Sequence, residues 1–182
     1  KSMKKKYYVA LFIIIFCTLS VFTLGYSTVI NKNSDPVVSQ KLNTKLANFK
    51  TETLNEDEYT LEQFPKGIVV VETFASWCIP CRESYPEIIK FEKNNTDQGI
   101  SVVAIAYDDV SFEIKSFQKE YGIIEKTIMS NASVKDSFQL RAVPQTLIVK
   151  DHVIKSRMNG SLSEKDINDA ISLVKLEGTN SN

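Results

Sequence analysis

From residue 68 onward two hydrophobic patterns alternate along the chain. An apolar run at 68–71 that opens a strand reaching Phe74, and another strand at 100–107 (Val102, Val103, Ala104, Ile105, Ala106), mark the centre of the domain; the second is too apolar to show one face to water. They predict strands of a sheet that is covered on both sides. Between and after them, apolar residues recur at helical spacing. Positions 78–94 predict a helix with Ile88, Ile89 and Phe91 on its apolar side and a kink near Pro86. Positions 111–121 predict a second helix, with Phe112 and Phe117 inward and an end at Gly122. A short helix follows at 134–138. Strands at 147–149 and 153–156 then form a hairpin over Asp151-His152. A closing helix at 163–176 opens on Ser163-x-x-Asp166, a capping pattern. Before all of these, 59–64 reads as a short edge element and Pro65-Lys66-Gly67 as a turn. Alternating strand and helix, closed by a hairpin and a last helix, predicts an α/β fold with a central mixed sheet flanked by helices.

The first third of the chain follows another rule. Tyr7 to Ile30 is a run of 24 residues without a charge, roughly 36 Å long as a helix and enough to cross a ~30 Å hydrocarbon core. Lys1, Lys4, Lys5 and Lys6 precede it, which places that end in the cytoplasm and the remainder outside. The expected organisation is an N-terminal transmembrane anchor at 1–30, a polar tether at 31–54, one globular domain at 55–178 and a tail at 179–182. A cleaved signal peptide is the competing reading of 1–30, although its apolar run exceeds the usual ~7–15 residues. In the anchor reading Cys17 is an inert, membrane-buried thiol. The protein is then single-pass in the cell membrane, with its soluble domain on the extracytoplasmic side. Formal charge is zero, but past those four lysines the balance is 18 basic against 22 acidic side chains. Such a mildly acidic domain without a basic stripe argues against nucleic-acid binding.

The chemistry concentrates at Trp77-Cys78-Ile79-Pro80-Cys81, where an apolar strand gives way to a helix. Two residues between the cysteines put the second thiol one helical turn from the first, close enough to close a small disulfide ring. Free N–H groups and the positive end of a helix dipole at that position favour the Cys78 thiolate. Pro80 suits the first turn, where its missing N–H is not needed. A zinc site would require two further Cys or His ligands, and the chain offers only Cys17 and His152. A purely structural bridge over so short a loop would constrain little. The strand-to-helix setting therefore favours redox chemistry. Glu72, six residues before Cys78 in a strand of Val and Phe, is a candidate catalytic group, since an ionisable residue there is expensive without a task. The plainer reading sends it to solvent at the strand end.

Residues 75–82, Ala-Ser-Trp-Cys-Ile-Pro-Cys-Arg, resemble the active-site motif of the thioredoxin superfamily, most closely its membrane-anchored TlpA/ResA-type thiol-disulfide oxidoreductases. A second signature, Arg141-Ala142-Val143-Pro144-Gln145-Thr146, stands just before the strand at 147–149. The resemblance covers about 55–176 and implies a thioredoxin-like fold, with residues 108–132 as the inserted helix and strand of the TlpA/ResA type. It implies a cis Pro144 packed against the dithiol, which keeps metal ions from the thiols and leaves the Val143 backbone free to pair with a substrate strand. Trp77, Val143 and Pro144 are thus the expected substrate-binding residues, and Ile79 and Pro80 the active-site loop. Core packing is the alternative for Trp77, and an ordinary trans turn for Pro144. At the position of Glu72, thioredoxin has a buried aspartate that moves the proton of the resolving thiol. One departure stands out. Many members carry a glutamate two residues before the helix proline, where this chain has Ser84, with Glu83 beside it. That leaves Glu83 as an ordinary exposed helix acid.

The expected reaction is thiol–disulfide exchange, with Cys78 attacking and Cys81 resolving, and with no organic cofactor or metal beyond the Cys78–Cys81 disulfide. The resemblance, together with the lack of a histidine between the cysteines, points to a reductase of exported proteins supplied with electrons by a membrane thiol carrier. Apocytochrome c cysteines are among that class's substrates. A disulfide-forming oxidase is the alternative, and a copper-binding thioredoxin-like chaperone using His152 is a remote one.

Overall fold

The computed structural model describes residues 39–179. The expected anchor at 1–30 with its Cys17, the tether up to residue 38, and 180–182 of the tail lie outside the described residues. Among the described residues no helix is long and apolar enough to cross a membrane. The elements are β1 (Gln40–Lys45), β2 (Lys50–Glu52), β3 (Glu58–Thr60), β4 (Ile68–Phe74), α1 (Cys81–Asn95), β5 (Ile100–Ala106), α2 (Ser111–Tyr121), β6 (Thr127–Met129), α3 (Ala132–Phe138), β7 (Gln145–Lys150), β8 (Val153–Asn159) and α4 (Glu164–Thr179). Short 3-10 turns at Leu61–Gln63 and Thr96–Gln98 complete the set.

Six strands form one mixed sheet in the order β1-β8-β7-β4-β5-β6, and β2 and β3 pair separately as a small hairpin. β4, β5 and β6 run parallel, β7 lies antiparallel to β4, and β8 lies antiparallel to β7 and so runs in the direction of β4. The period of two along each strand sorts its side chains between two apolar cores. On one side Val70, Phe74, Val102 and Ile148 pack with Ile88 and Phe91 of α1, Phe117 of α2 and Ile167 of α4. On the other, Val69, Val71, Val103 and Leu147 pack with Phe49, Tyr59, Phe64 and Phe138. Both faces are covered, which is why β4 and β5 are mostly apolar without the alternation of a half-exposed strand.

The sequence reading needs four corrections. The stretch read as tether contributes β1 and β2, and it buries Leu46 and Phe49, so the domain begins near residue 40 rather than at 55. β1 is an edge strand held by pairing with β8 (Gln40 opposite Arg157, Lys45 opposite Val153), and edge pairing needs little apolar content. Phe112 points outward and is 75% exposed, while Ile114 and Phe117 supply the inner face of α2. The active-site helix starts at Cys81, three residues later than the periodicity suggested. The closing helix runs to Thr179, into the expected tail. Its start is as the sequence indicates: the Ser163 N–H donates to Asp166 Oδ2 (2.9 Å), and the Asp166 N–H donates to Ser163 Oγ (3.4 Å).

Candidate active site

β4 ends at Phe74, and the next residues form the loop that presents the dithiol. The loop is fixed on one side by the segment after β5. The Ser76 N–H donates to Asp109 Oδ2 (2.6 Å), and the Trp77 indole N–H donates to the Asp108 carbonyl (3.4 Å). On the other side the Ser161 hydroxyl donates to the Pro80 carbonyl (3.0 Å). The Cys78 N–H turns back to the Ala75 carbonyl (3.1 Å), which brings the first sulfur to the mouth of α1.

Cys78 and Cys81 form a disulfide with Cα atoms 5.3 Å apart. The Cys81 N–H, one of the groups a helix start leaves without an internal partner, donates to Cys78 Sγ (3.2 Å). The helix therefore does turn an N–H toward the first sulfur, as its place in the sequence predicts. Cys78 is 4% exposed and Cys81 0%. Both residues are buried, so Cys78 is more sheltered than the exposed nucleophile expected from the sequence, though it is the less enclosed of the pair.

The Val143–Pro144 peptide bond is cis. Pro144 is buried and Val143 partly so. The loop is braced by Thr73 at the end of β4, whose hydroxyl donates to the Gln145 carbonyl (3.0 Å) and accepts from the Gln145 N–H (2.9 Å). Gln145 Oε1 accepts from the Arg141 N–H (3.1 Å). The Pro144 carbonyl accepts from the Gly160 N–H (3.0 Å). Gly160 has φ +88°, a left-handed conformation that glycine adopts freely. Through Gly160 and Ser161, the turn after β8 ties the Pro144 loop to the dithiol loop, a connection the sequence did not reveal.

Beneath this surface lies Glu72. Alternation along β4 places it on the same side as Val70 and Phe74, under α1, with Ala104 opposite on β5 and Thr146 opposite on β7. It is 0% exposed and does not reach solvent at the strand end. The Thr146 hydroxyl donates to Oε2 (2.5 Å), and the Ser84 hydroxyl, from the first turn of α1, donates to Oε1 (3.2 Å). Burial pushes the Glu72 carboxyl up to about 8, against the opposing pull of the two hydroxyls. Tyr85, the next residue on α1, is raised beyond the ordinary tyrosine range, chiefly by burial. Glu83, the residue before Ser84 on α1, is exposed.

Apolar side chains are exposed on the dithiol loop and on the segment tied to it. Trp77, Ile79, Val110 and Phe112 are four of the seven large hydrophobic side chains exposed among the described residues. Val110 and Phe112 belong to the segment that Asp108 and Asp109 fasten to the dithiol loop. His152 is at the far end of the sheet, on the β7–β8 turn, where Lys150 lies opposite Ile68 at the start of β4. A strand of this length separates the two ends by roughly 20 Å, so His152 and Cys78 cannot share a copper ion. Among the described residues no group of three or more Cys, His, Asp or Glu side chains is arranged to hold a metal.

The model of the Redoxin family matches residues 41–172. Thiol-disulfide oxidoreductase ResA of Bacillus subtilis (strain 168) is 24% identical over 131 residues, covering 70% of this chain and 73% of its own. ResA of Halalkalibacterium halodurans is 22% identical over 166 residues, covering 90% of this chain and 93% of its own. The crystal structure of a thiol:disulfide interchange protein of the thioredoxin family from Chlorobium tepidum superposes with a TM-score of 0.63 at 20% identity, over 74% of this chain and 97% of that one. That last likeness concerns the fold, which is thioredoxin-like. Since the family match spans well over half its length, the chain belongs to the redoxin family, among its thiol-disulfide oxidoreductases.

Proposed function

We propose that the protein works outside the cytoplasm, anchored to the cell membrane, and reduces disulfides in other exported proteins. The observation that carries the reading is the Cys78–Cys81 disulfide at the start of α1, with Cys78 slightly exposed, Cys81 fully enclosed, and the Glu72 carboxyl buried under the same helix. The uncharged run at 7–30 behind its lysines supports export and anchoring.

In the reduced protein the Cys78 thiolate attacks one sulfur of a partner disulfide. That S–S bond breaks, its other sulfur leaves as a thiolate and takes up a proton, and Cys78 is joined to the partner. Cys81 then gives up its proton, attacks Cys78 Sγ and expels the partner's second sulfur. Two electrons have passed to the partner, and the protein holds its internal disulfide. Glu72 is the group that takes the Cys81 proton, and it returns that proton when the disulfide is reopened. A carboxyl that titrates near 8 exchanges protons in both directions close to neutral pH. A membrane thiol carrier reloads the pair by the same exchange, so no organic cofactor takes part. The partner strand lies across Val143, whose backbone N–H and carbonyl have no backbone partner among the described residues. Its apolar residues rest on Trp77, Ile79, Val110 and Phe112.

Replacing Cys81 with serine tests the exchange. C81S should accumulate partners bound through Cys78 and released by dithiothreitol, and adding C78S should abolish capture; failure of C81S to trap anything would reject the mechanism. The equilibrium potential decides direction. A value near ~−270 mV or below fits a reductase, whereas one near ~−120 mV would make the protein a disulfide-forming oxidase.

A further inference from the structure

The two hydroxyls that hold Glu72 differ in a way the dithiol chemistry can use. Thr146 stands directly opposite Glu72 in the sheet and points its hydroxyl at Oε2, its one side-chain partner among the described residues. Ser84 comes from the dithiol helix and has two acceptors within reach: Glu72 Oε1 at 3.2 Å and the Cys81 carbonyl at 3.5 Å. A hydroxyl donates one proton and accepts through its lone pairs. Toward a carboxylate, Ser84 donates to Oε1. Once Oε1 carries a proton, that O–H must donate, and the Ser84 hydroxyl has to turn its own proton elsewhere. The Cys81 carbonyl is placed to receive it.

We propose that Ser84 is a positioning residue for the exchange reaction: its hydroxyl turns between Glu72 Oε1 and the Cys81 carbonyl as the carboxyl loses and gains its proton, while Thr146 keeps the other oxygen fixed. The inference rests on Glu72 as the proton carrier for Cys81. It assigns the mobile proton to Oε1, the oxygen facing the dithiol helix, and it leaves neither protonation state with an unpaired buried oxygen. The charged and titratable surroundings are sparse. From α1 the cysteine pair and Tyr85 face the carboxyl; Ala104 on β5 is uncharged, and α2 and α4 turn Ile114, Phe117, Ile167 and Ile171 to this side of the sheet. The two hydroxyls are therefore the main polar influence on Glu72.

The test is a pH titration of the Glu72 carboxyl, read by 13C NMR on side-chain-labelled full-length protein in its disulfide form and assigned with E72Q. S84A removes a donor that favours the carboxylate, so the midpoint should rise by about one pH unit, the size of one hydrogen bond to a charged group. S84T keeps a hydroxyl and should restore the wild-type midpoint. In the reduced protein S84A should slow release of a trapped partner by Cys81 about tenfold below the midpoint, while alkylation of Cys78 by iodoacetamide is unchanged. An unmoved midpoint in S84A, or an S84T variant that behaves like S84A, overturns the proposal. If S84A does not fold, T146V removes the opposing donor and must raise the midpoint by itself; no rise again overturns it. The titration needs no partner, so it can fail while exchange through Cys78 stands. Conversely, a wild-type protein that exchanges with nothing refutes the function without touching the titration.

Discussion

Glu72 shows how far a single residue can be understood from its neighbours in the chain. An acid among Val70, Val71 and Phe74 is conspicuous because burying a carboxyl is expensive, and the structure does bury it completely. Its partners were not legible in the same way. Ser84 registered only as a missing glutamate, and Thr146 as the end of a signature, since hydrogen bonds across 12 and 74 positions leave no local pattern. The stability consequence has a definite sign. The folded-state value, about 8, lies above the ordinary value of 4.5, so the native state binds a proton that the unfolded chain has released at intermediate pH. That contribution is fully present below about 4.5 and is lost as pH rises through 8. E72Q should therefore match the wild type near pH 4.5 and exceed it by a few kcal/mol at pH 9, measured as the difference in urea unfolding free energy between the two proteins.

At the scale of elements, the apolar runs gave away β4 and β5 because both of their faces are covered. The capping pair Ser163 and Asp166 likewise gave away the start of α4. β1 was missed for the opposite reason: it reads Gln-Lys-Leu-Asn-Thr-Lys and is stabilised by pairing with β8 rather than by apolar burial. Phe112 and Phe117 cannot both face inward, because five residues turn a helix by about 500°, leaving the two side chains ~140° apart; Phe117 shares its face with Ile114 instead. The docking surface proposed above makes the exposure of Phe112 testable. Phe112→Ser should raise KM for a disulfide-bonded protein substrate several-fold, leave the rate with a small disulfide reagent unchanged and barely alter the melting temperature. A parallel loss with both substrates would remove Phe112 from the docking rim. Packing on the far face should separate cleanly from chemistry. Phe138, wedged between the Phe49 and Phe64 rings (5.3 and 5.5 Å), should cost about 3–5 kcal/mol when replaced by alanine, with the dithiol potential unmoved.

For the molecule as a whole, the strand order carries information that no single element holds. The dithiol loop follows the C-terminal end of β4, and the Pro144 loop leads into β7 at that same end, where Thr73 lies opposite Gln145. β8 also finishes there, with Asn159 opposite Gln145, and its exit turn bonds to both loops. Three segments distant in sequence thus meet because alternate strands of one sheet reverse direction. β1 belongs to this geometry too. Its first residue, Gln40, stands opposite Arg157 near the finish of β8, so the polypeptide enters the sheet from the sulfur-bearing end. The entry point is three strands to the side of β4, ~14 Å away. Residue 39, the first described, therefore lies at the sulfur-bearing end of the sheet and not at the end that carries the β7–β8 turn. Val110 and Phe112, exposed after β5, lie on the other side of β4 from that entry.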